Sequence, residues 1–288
     1  MSAVSAAWRL MRPKQWTKNV LVLAAPLAAA DLDRPGVAGP TALAFLAFCL
    51  VSSAVYCFND VADREADRLH PRKMRRPVAA GEVSVGAALA LGSVLGVAGM
   101  LVAWPAGVPL VVLLGVYAAL QLGYSAGLKH EPVFDIVIVA MGFMLRAVAG
   151  GVAAQLPISQ WFLLVTGFGS LFIVAGKRYS ELHTLGIDAG TRRSLARYTA
   201  TYLRFVWSMA AAGTVMSYAL WAFEVSPQHG VPWQTISIAP FVMGLLRYAV
   251  DIDAGTAAEP EDIVLADRVL EALGVVWLVA VLLGVLGG

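Results

Sequence analysis

Long apolar runs separated by short polar connections organise this chain. TALAFLAFCLVSSAV (41–55) carries no charged residue, and similar runs recur to the C-terminus. The pattern predicts helices near residues 17–31, 39–58, 84–104, 108–126, 132–152, 160–177, 200–223, 233–250 and 266–286. Each approaches the roughly twenty residues that carry an α-helix across a bilayer. A helix also satisfies its own backbone polar groups within one segment, which lipid demands. The reading is therefore all-α: a polytopic membrane protein with one transmembrane domain over residues 1–288, a bundle of about nine spanning helices. Gly92, Gly96 and Gly99 in LGSVLGVAG have the spacing of a close helix–helix contact.

The polar positions are as regular as the apolar ones. Arg9, Arg12, Lys14 and Lys18 precede or open the first run, and Arg64, Arg68, Arg72, Lys73, Arg75 and Arg76 lie between the second and third. Lys129 follows the fourth run. Lys177, Arg178, Arg192, Arg193, Arg197 and Arg204 surround the sixth-to-seventh connection, and Arg247 and Arg268 flank the eighth-to-ninth. With nine alternating spans all of these fall on one side. The opposite connections AWPAGVP, AAQLPISQ and EVSPQHGVP lack Lys and Arg, and the first of that side has only Arg34. The positive-inside rule then places the N-terminus and the charged connections in the cytoplasm and the C-terminus outside.

Composition agrees. Of 288 residues 59% are hydrophobic and 14% charged, against about 25% charged in soluble domains, and the mean hydropathy is +0.73. A soluble enzyme is excluded, and no nucleic-acid partner is expected. Cys49 and Cys57 stand eight positions apart, roughly 12 Å along a helix, too far for a disulfide. The four histidines include no i, i+4 pair, so a histidine-held metal is not expected.

The chemistry concentrates in NDVADREADRLHPRKMRRPVAAG (59–81). On a continuous helix Asp60, Asp63 and Asp67 share one face, with Asn59 at its edge and Glu65 pointing elsewhere. Three like charges on one face repel, and a divalent cation relieves this; Mg²⁺ suits a few carboxylates plus phosphate oxygens. The blander alternative is a solvated helix end whose acids pair with Arg64, Arg68 and Arg72. The position of these acids at a membrane boundary favours function. The bases that follow can set topology, touch anionic lipids or grip phosphates. Acids, a metal and bases together describe a diphosphate pocket. Further in, Arg146 lies about 14 residues into the fifth run, roughly 20 Å deep. It needs a cavity or a partner there, and a functional and a bundle-holding role both stay open. Lys129 with Asp135 reads as a structural pair, and Glu181 at i+4 from Lys177 as another.

Asn59, Asp60, Asp63 and Asp67, as NDxxDxxxD, resemble the first aspartate-rich motif of the UbiA-type intramembrane prenyltransferase superfamily. RPKQWTKN (12–19), YSAGLK (124–129), GKRYSEL (176–182) and EPEDIVLADR (259–268) resemble its phosphoribosyltransferase branch. One departure is informative. The superfamily's second motif, DxxxD, is replaced by Lys177, Arg178 and Glu181, which disfavours a second metal cluster and favours a directly bound phosphate.

The resemblance implies a Mg²⁺-dependent transfer of 5-phosphoribose from phosphoribosyl diphosphate to a polyprenyl phosphate of the decaprenyl type. Diphosphate is released, and the product supplies arabinan for the cell wall. It implies Asp60, Asp63 and Asp67 as the catalytic ligands of Mg²⁺ and the departing diphosphate, with Asn59 as a supporting ligand. Lys14 and Lys18 fall near the lipid phosphate or the donor diphosphate, and Arg72, Lys73, Arg75 and Arg76 near the sugar phosphate. Tyr124 and Lys129 lie beside the pocket. Lys177 and Arg178 hold phosphate and Glu181 the ribose hydroxyls. Glu261 and Asp262 contribute polar contacts or cap the ninth helix. It also suggests a homotrimer, in contact with membrane lipids. Two rivals stay open: a prenyltransferase joining a prenyl diphosphate to an aromatic or lipid acceptor, and a secondary transporter of an anionic metabolite.

Overall fold

A computed structural model describes residues 3–29, 34–71, 73–185, 195–226, 230–257, 263 and 266–286. The described residues are helical or irregular, with no strand. Helix α1 (Ala3–Met11) leads into a 3₁₀ segment (Pro13–Leu23) and the short α2 (Ala24–Ala28). Then come α3 (Ala38–Ala62), α4 (Arg64–Arg68), α5 (Val85–Ala103), α6 (Val108–Ala126), α7 (Phe134–Ala153), α8 (Gln160–Leu185), α9 (Ala200–Val225), α10 (Trp233–Ile236), α11 (Ile238–Asp253) and α12 (Arg268–Leu286). Among the described residues seven helical stretches are long and apolar enough to cross a membrane, from Ala38–Ala62 to Trp233–Asp253. Contacts gather into two compact units, Met1–Lys129 with Gly142–Ile158, and His130–Met141 with Ser159–Gly288.

In the first unit α3 and α5 pack closely, as the glycine spacing of the sequence requires. A Cβ on Gly99 would stand 2.6 Å from Val51 Cγ2 and 3.2 Å from the Ala47 carbonyl, and one on Gly92 3.1 Å from Cys57 Cβ. Leu10, Ala54, Cys57, Val78, Ala88 and Leu95 form the buried cluster around this contact. Ser84 caps α5 by accepting from the Ala87 N–H at 3.2 Å. Both cysteines are buried free thiols.

The first apolar run differs from its expected form. It is not one α-helix over 17–31: residues Pro13–Leu23 are 3₁₀, and α follows only from Ala24. The inward positions explain this. Trp16, Asn19, Val22 and Ala25 recur every three residues, the period of a 3₁₀ helix. Asn19 and Val22 are fully buried, and Trp16 donates from Nε1 to Ser53 Oγ at 3.0 Å. Gly150 of α7 sits so close to this segment that a Cβ there would overlap the Val22 carbonyl oxygen.

The second unit is built on α8 against α9. Gly213 abuts the Phe168 ring, where a Cβ would stand 2.8 Å away, and Gly176 abuts Ile252 of α11. Within it Tyr218, Ser237 and Trp277 close a hydrogen-bonded knot: Trp277 Nε1 donates to the Tyr218 hydroxyl at 2.7 Å, and the two hydroxyls lie 2.6 Å apart.

Candidate active site

The acids of NDVADREAD gather where α3 ends. Helix α3 stops at Ala62, Asp63 forms the joint (φ −93°, ψ 4°), and α4 resumes at Arg64. The single helical face expected for the three aspartates is therefore interrupted. Asp60 and Asp67 are almost wholly buried, 1% and 2% exposed, while Asp63 stands partly in the open at 27%.

Among the described residues each of the three aspartates has a basic partner, and that partner is neither Arg64 nor Arg68. Arg12 reaches Asp60. Arg76 Nη1 lies 2.6 Å from Asp67 Oδ2 and 3.5 Å from Asp60 Oδ1. Lys129 reaches Asp63. Arg64 and Arg68 pair instead with Glu65, at 3.6 and 3.2 Å. The result is a patch of alternating charge, three buried or half-buried carboxylates interleaved with three cations, within the first unit.

Local structure delivers each cation. Arg12 lies in the left-handed region (φ 52°) between α1 and Pro13. This costly conformation is fixed by Ser53, which donates to the Met11 carbonyl at 2.9 Å and accepts from Trp16. The guanidinium stands over the Tyr56 ring at 4.8 Å. Lys129 follows Gly127, whose φ of 152° ends α6 and turns the chain into a 3₁₀ turn, Leu128–His130.

Two oxygens of the patch have nothing to do. Asn59 Oδ1 and Asp60 Oδ2 are buried and without a hydrogen-bond partner. Buried oxygens left unsatisfied cost free energy, and hard oxygen donors of this kind suit Mg²⁺. Among the described residues no three acidic, histidine or cysteine groups already converge as a metal cage, because each aspartate is turned toward its own cation. Residues Asn59, Asp60, Asp63 and Asp67 thus fit a divalent cation by donor type and by the two idle oxygens.

The remaining candidates are spread more widely. Lys14 is exposed and Lys18 half-buried on the 3₁₀ segment; Lys73 and Tyr124 are half-buried and Arg75 is exposed. Arg72, Glu261 and Asp262 lie outside the described residues. Lys177, Arg178 and Glu181 belong to the second unit. There Arg178 is buried, with Nε 3.1 Å from Asp135 Oδ2 and Nη1 2.8 Å from Glu181 Oε2. Tyr198 donates to the other Asp135 oxygen at 2.5 Å and accepts from the Val133 N–H at 2.6 Å. Burial, and next the hydrogen bond to Asp135, push the Tyr198 phenol well above its ordinary pKa. Asp135 therefore pairs with Arg178 rather than Lys129, and Glu181 with Arg178 rather than Lys177.

Sequence reading passed over Arg12, Asp135 and Tyr198 as site residues. Arg12 had a signal, its place at the head of RPKQWTKN; the other two are single residues whose partners lie tens of positions away.

The pattern of the UbiA prenyltransferase family matches residues 20–267 of this chain. The chain belongs to the UbiA prenyltransferase family. It is thus a multi-pass membrane protein, in keeping with the seven long apolar helices among its described residues. Within the family it is 50% identical over 283 residues to a decaprenyl-phosphate phosphoribosyltransferase of Mycobacterium tuberculosis, covering 96% of this chain and 93% of the relative. It is 51% identical over 286 residues to a decaprenyl-phosphate phosphoribosyltransferase of Corynebacterium glutamicum, covering 96% and 86%. Its fold matches the solved structure of a UbiA homologue from Archaeoglobus fulgidus bound to DMAPP and Mg²⁺. The TM-score is 0.75 at 17% identity over 97% of this chain and 98% of that one.

Proposed function

We propose that this UbiA family member transfers 5-phosphoribose from phosphoribosyl diphosphate to a decaprenyl-type polyprenyl phosphate, with release of diphosphate, as a Mg²⁺-dependent enzyme at the cytoplasmic face of the cell membrane. The observation that carries this reading is half-identity, over nearly the whole length of both chains, to phosphoribosyltransferases of that acceptor class. The acid–base patch supplies the means.

In the reaction a phosphate oxygen of the lipid forms a bond to C1 of the ribose. The C1–O bond to diphosphate breaks, and its electron pair leaves with the diphosphate. The attacking phosphate is already an anion, so no general base is needed. Asn59, Asp60, Asp63 and Asp67 would hold Mg²⁺, which supplies charge stabilisation for the leaving diphosphate. Arg12, Arg76 and Lys129 neutralise the aspartates before substrate binds and are placed to exchange them for phosphate oxygens. Lys14, Lys18, Lys73 and Arg75 extend the basic surface toward the lipid phosphate and the sugar phosphate, with Tyr124 beside them. In the second unit Lys177 is the phosphate contact, and Arg178, held by Asp135 and Glu181, sets its helix in place. The wider reading is one domain of nine crossings, N-terminus inside and C-terminus outside, assembled as a homotrimer.

The test is direct. Purified protein, Mg²⁺, phosphoribosyl diphosphate and polyprenyl phosphates of several lengths are incubated, and the lipid is read by mass spectrometry. Phosphoribosylated lipid is expected, falling by roughly 10²-fold or more in an Asp60→Asn/Asp63→Asn variant and disappearing without metal. Folded protein that makes no such product at any lipid length would sink the substrate pair. Consumption of prenyl diphosphate with an aromatic acceptor would instead establish prenyl transfer.

A further inference from the structure

Arg12, Lys14 and Lys18 sit on or beside an element that is weak by itself. 3₁₀ geometry makes poorer hydrogen bonds than α, and runs beyond three or four residues are uncommon. Pro13–Leu23 holds it for 11 residues, and the residue before it is left-handed. The surrounding helices must therefore impose the conformation. Ser53 of α3 fixes one end through Met11 and Trp16. The middle is fixed by Asn19, which is fully buried and donates from Nδ2 toward Cys49 Sγ at 3.3 Å and Ser52 Oγ at 3.5 Å.

The oxygen of Asn19 accepts from Arg146. This arginine of α7 is 7% exposed. Its Nε donates to Asn19 Oδ1 at 2.8 Å, Nη1 to the Gly142 carbonyl at 2.8 Å, and Nη2 to the Tyr117 hydroxyl at 2.7 Å. Its cation stands 4.7 Å from the Tyr117 ring centre and 5.7 Å from that of Phe48. Among the described residues every one of these partners is neutral, so this is a buried cation within a membrane bundle with no counter-charge. Such a charge is costly, and an apolar side chain of similar volume is often as stable or more so. Stability alone does not account for it. What an apolar residue could not do is join three elements by one rigid fork: the 3₁₀ segment, α6 through Tyr117, and α7.

We infer that Arg146 is a positioning residue for the donor site. Through Asn19 it fixes the register of the 3₁₀ segment, and so the places of Lys14 and Lys18 along it and of Arg12 at its head against Asp60. Arg146 itself touches no reacting atom. The inference rests on the proposed transferase reading for its kinetic consequence, but its structural content does not.

Two readouts test it. The first is donor kinetics of Arg146→Met and of the double variant Asn19→Leu/Arg146→Met, which removes both partners of the Asn19–Arg146 bond together and so leaves fewer buried polar groups unpaired than Arg146→Met alone. The KM for phosphoribosyl diphosphate is expected to rise about tenfold in both, with kcat changed much less. Gln234→Leu, which removes an equally buried bond to the Gly284 carbonyl in the second unit, should lower thermal stability and leave that KM alone. The second readout needs no activity. A spin label on Thr17→Cys, exposed on the 3₁₀ segment while both native cysteines are buried, should become more mobile in the double variant. An unchanged KM and an unchanged label, with only stability shifted, would overturn the inference and leave Arg146 a brace of the bundle. If the parent protein transfers no phosphoribose, the proposed function fails while the spin label still decides the role of Arg146.

Discussion

Arg76 serves two buried carboxylates with one nitrogen, Asp67 at 2.6 Å and Asp60 at 3.5 Å. Removing it leaves both acids buried with less compensation, which costs about 3–5 kcal/mol when one partner of a buried pair is lost. Arg76→Gln should therefore lower the unfolding temperature in detergent markedly. Mg²⁺ should restore part of the loss, because it binds the folded patch and not the unfolded chain; no Mg²⁺-dependent gain would count against a metal here. Tyr198 gives a pH signature. Its folded pKa lies above the ordinary value, so the folded state keeps a proton that the unfolded chain gives up. Its contribution is full below the unfolded pKa of about 10 and is lost as pH rises beyond that toward the folded value. Tyr198→Phe should cost about 1–3 kcal/mol at neutral pH and flatten the alkaline decline in melts between pH 8 and 11. The aspartates were legible in sequence because charge at the end of an apolar run is anomalous in itself. Arg146 was anomalous too, but its partners Tyr117 and Asn19 stand 29 and 127 positions away, and no local pattern points to them.

Among the elements, the long α-helices followed from apolar run length alone, since lipid leaves the backbone little choice. The 3₁₀ segment did not follow, because VLVLAAPLAAA reads as an apolar run of either period. Only the burial of Asn19 beside Val22 and Trp16 separates three residues per turn from 3.6. The break at Asp63 was hidden for a similar reason: NDVADREAD is compatible with helix throughout, and the joint comes from three aspartates finding three different cations. Packing at Gly150 offers a test. A Cβ there would collide with the Val22 carbonyl and stand 3.1 Å from Pro26 Cδ, against backbone that cannot rotate away. Gly150→Ala should cost about 1–3 kcal/mol by overpacking. Gly115→Ala in α6, where a Cβ would meet nothing within 4 Å, should be neutral or gain about 0.5–1 kcal/mol from helix propensity. Thermal melts of the two variants side by side check both signs.

At the scale of the whole molecule each compact unit carries its own polar cluster, Asp60–Arg76–Asp67 in the first and Asp135–Arg178–Tyr198 in the second. Topology is the property that the charge pattern argues most strongly and that two unusual segments put to the test. Nine crossings require the first run and α12 both to span. The first run combines 3₁₀ over Pro13–Leu23 with α over Ala24–Ala28, and 3₁₀ rises roughly 2.0 Å per residue against 1.5 Å for α, so it reaches further for its length. The 19 residues of α12 reach about 28 Å. With both crossing, the C-terminus lies opposite the N-terminus. Met74 and Trp104, both exposed, then mark the two faces. In intact cells a membrane-impermeant maleimide should label Trp104→Cys at once and Met74→Cys only after permeabilisation, and a reporter fused after Gly288 should lie outside. A cytoplasmic C-terminal reporter with the two cysteine results unchanged would mean that α12 does not cross, since the first run lies before both markers and α12 after them. Reversed labelling of both cysteines would instead put the acid patch outside, away from a cytoplasmic phosphoribosyl donor.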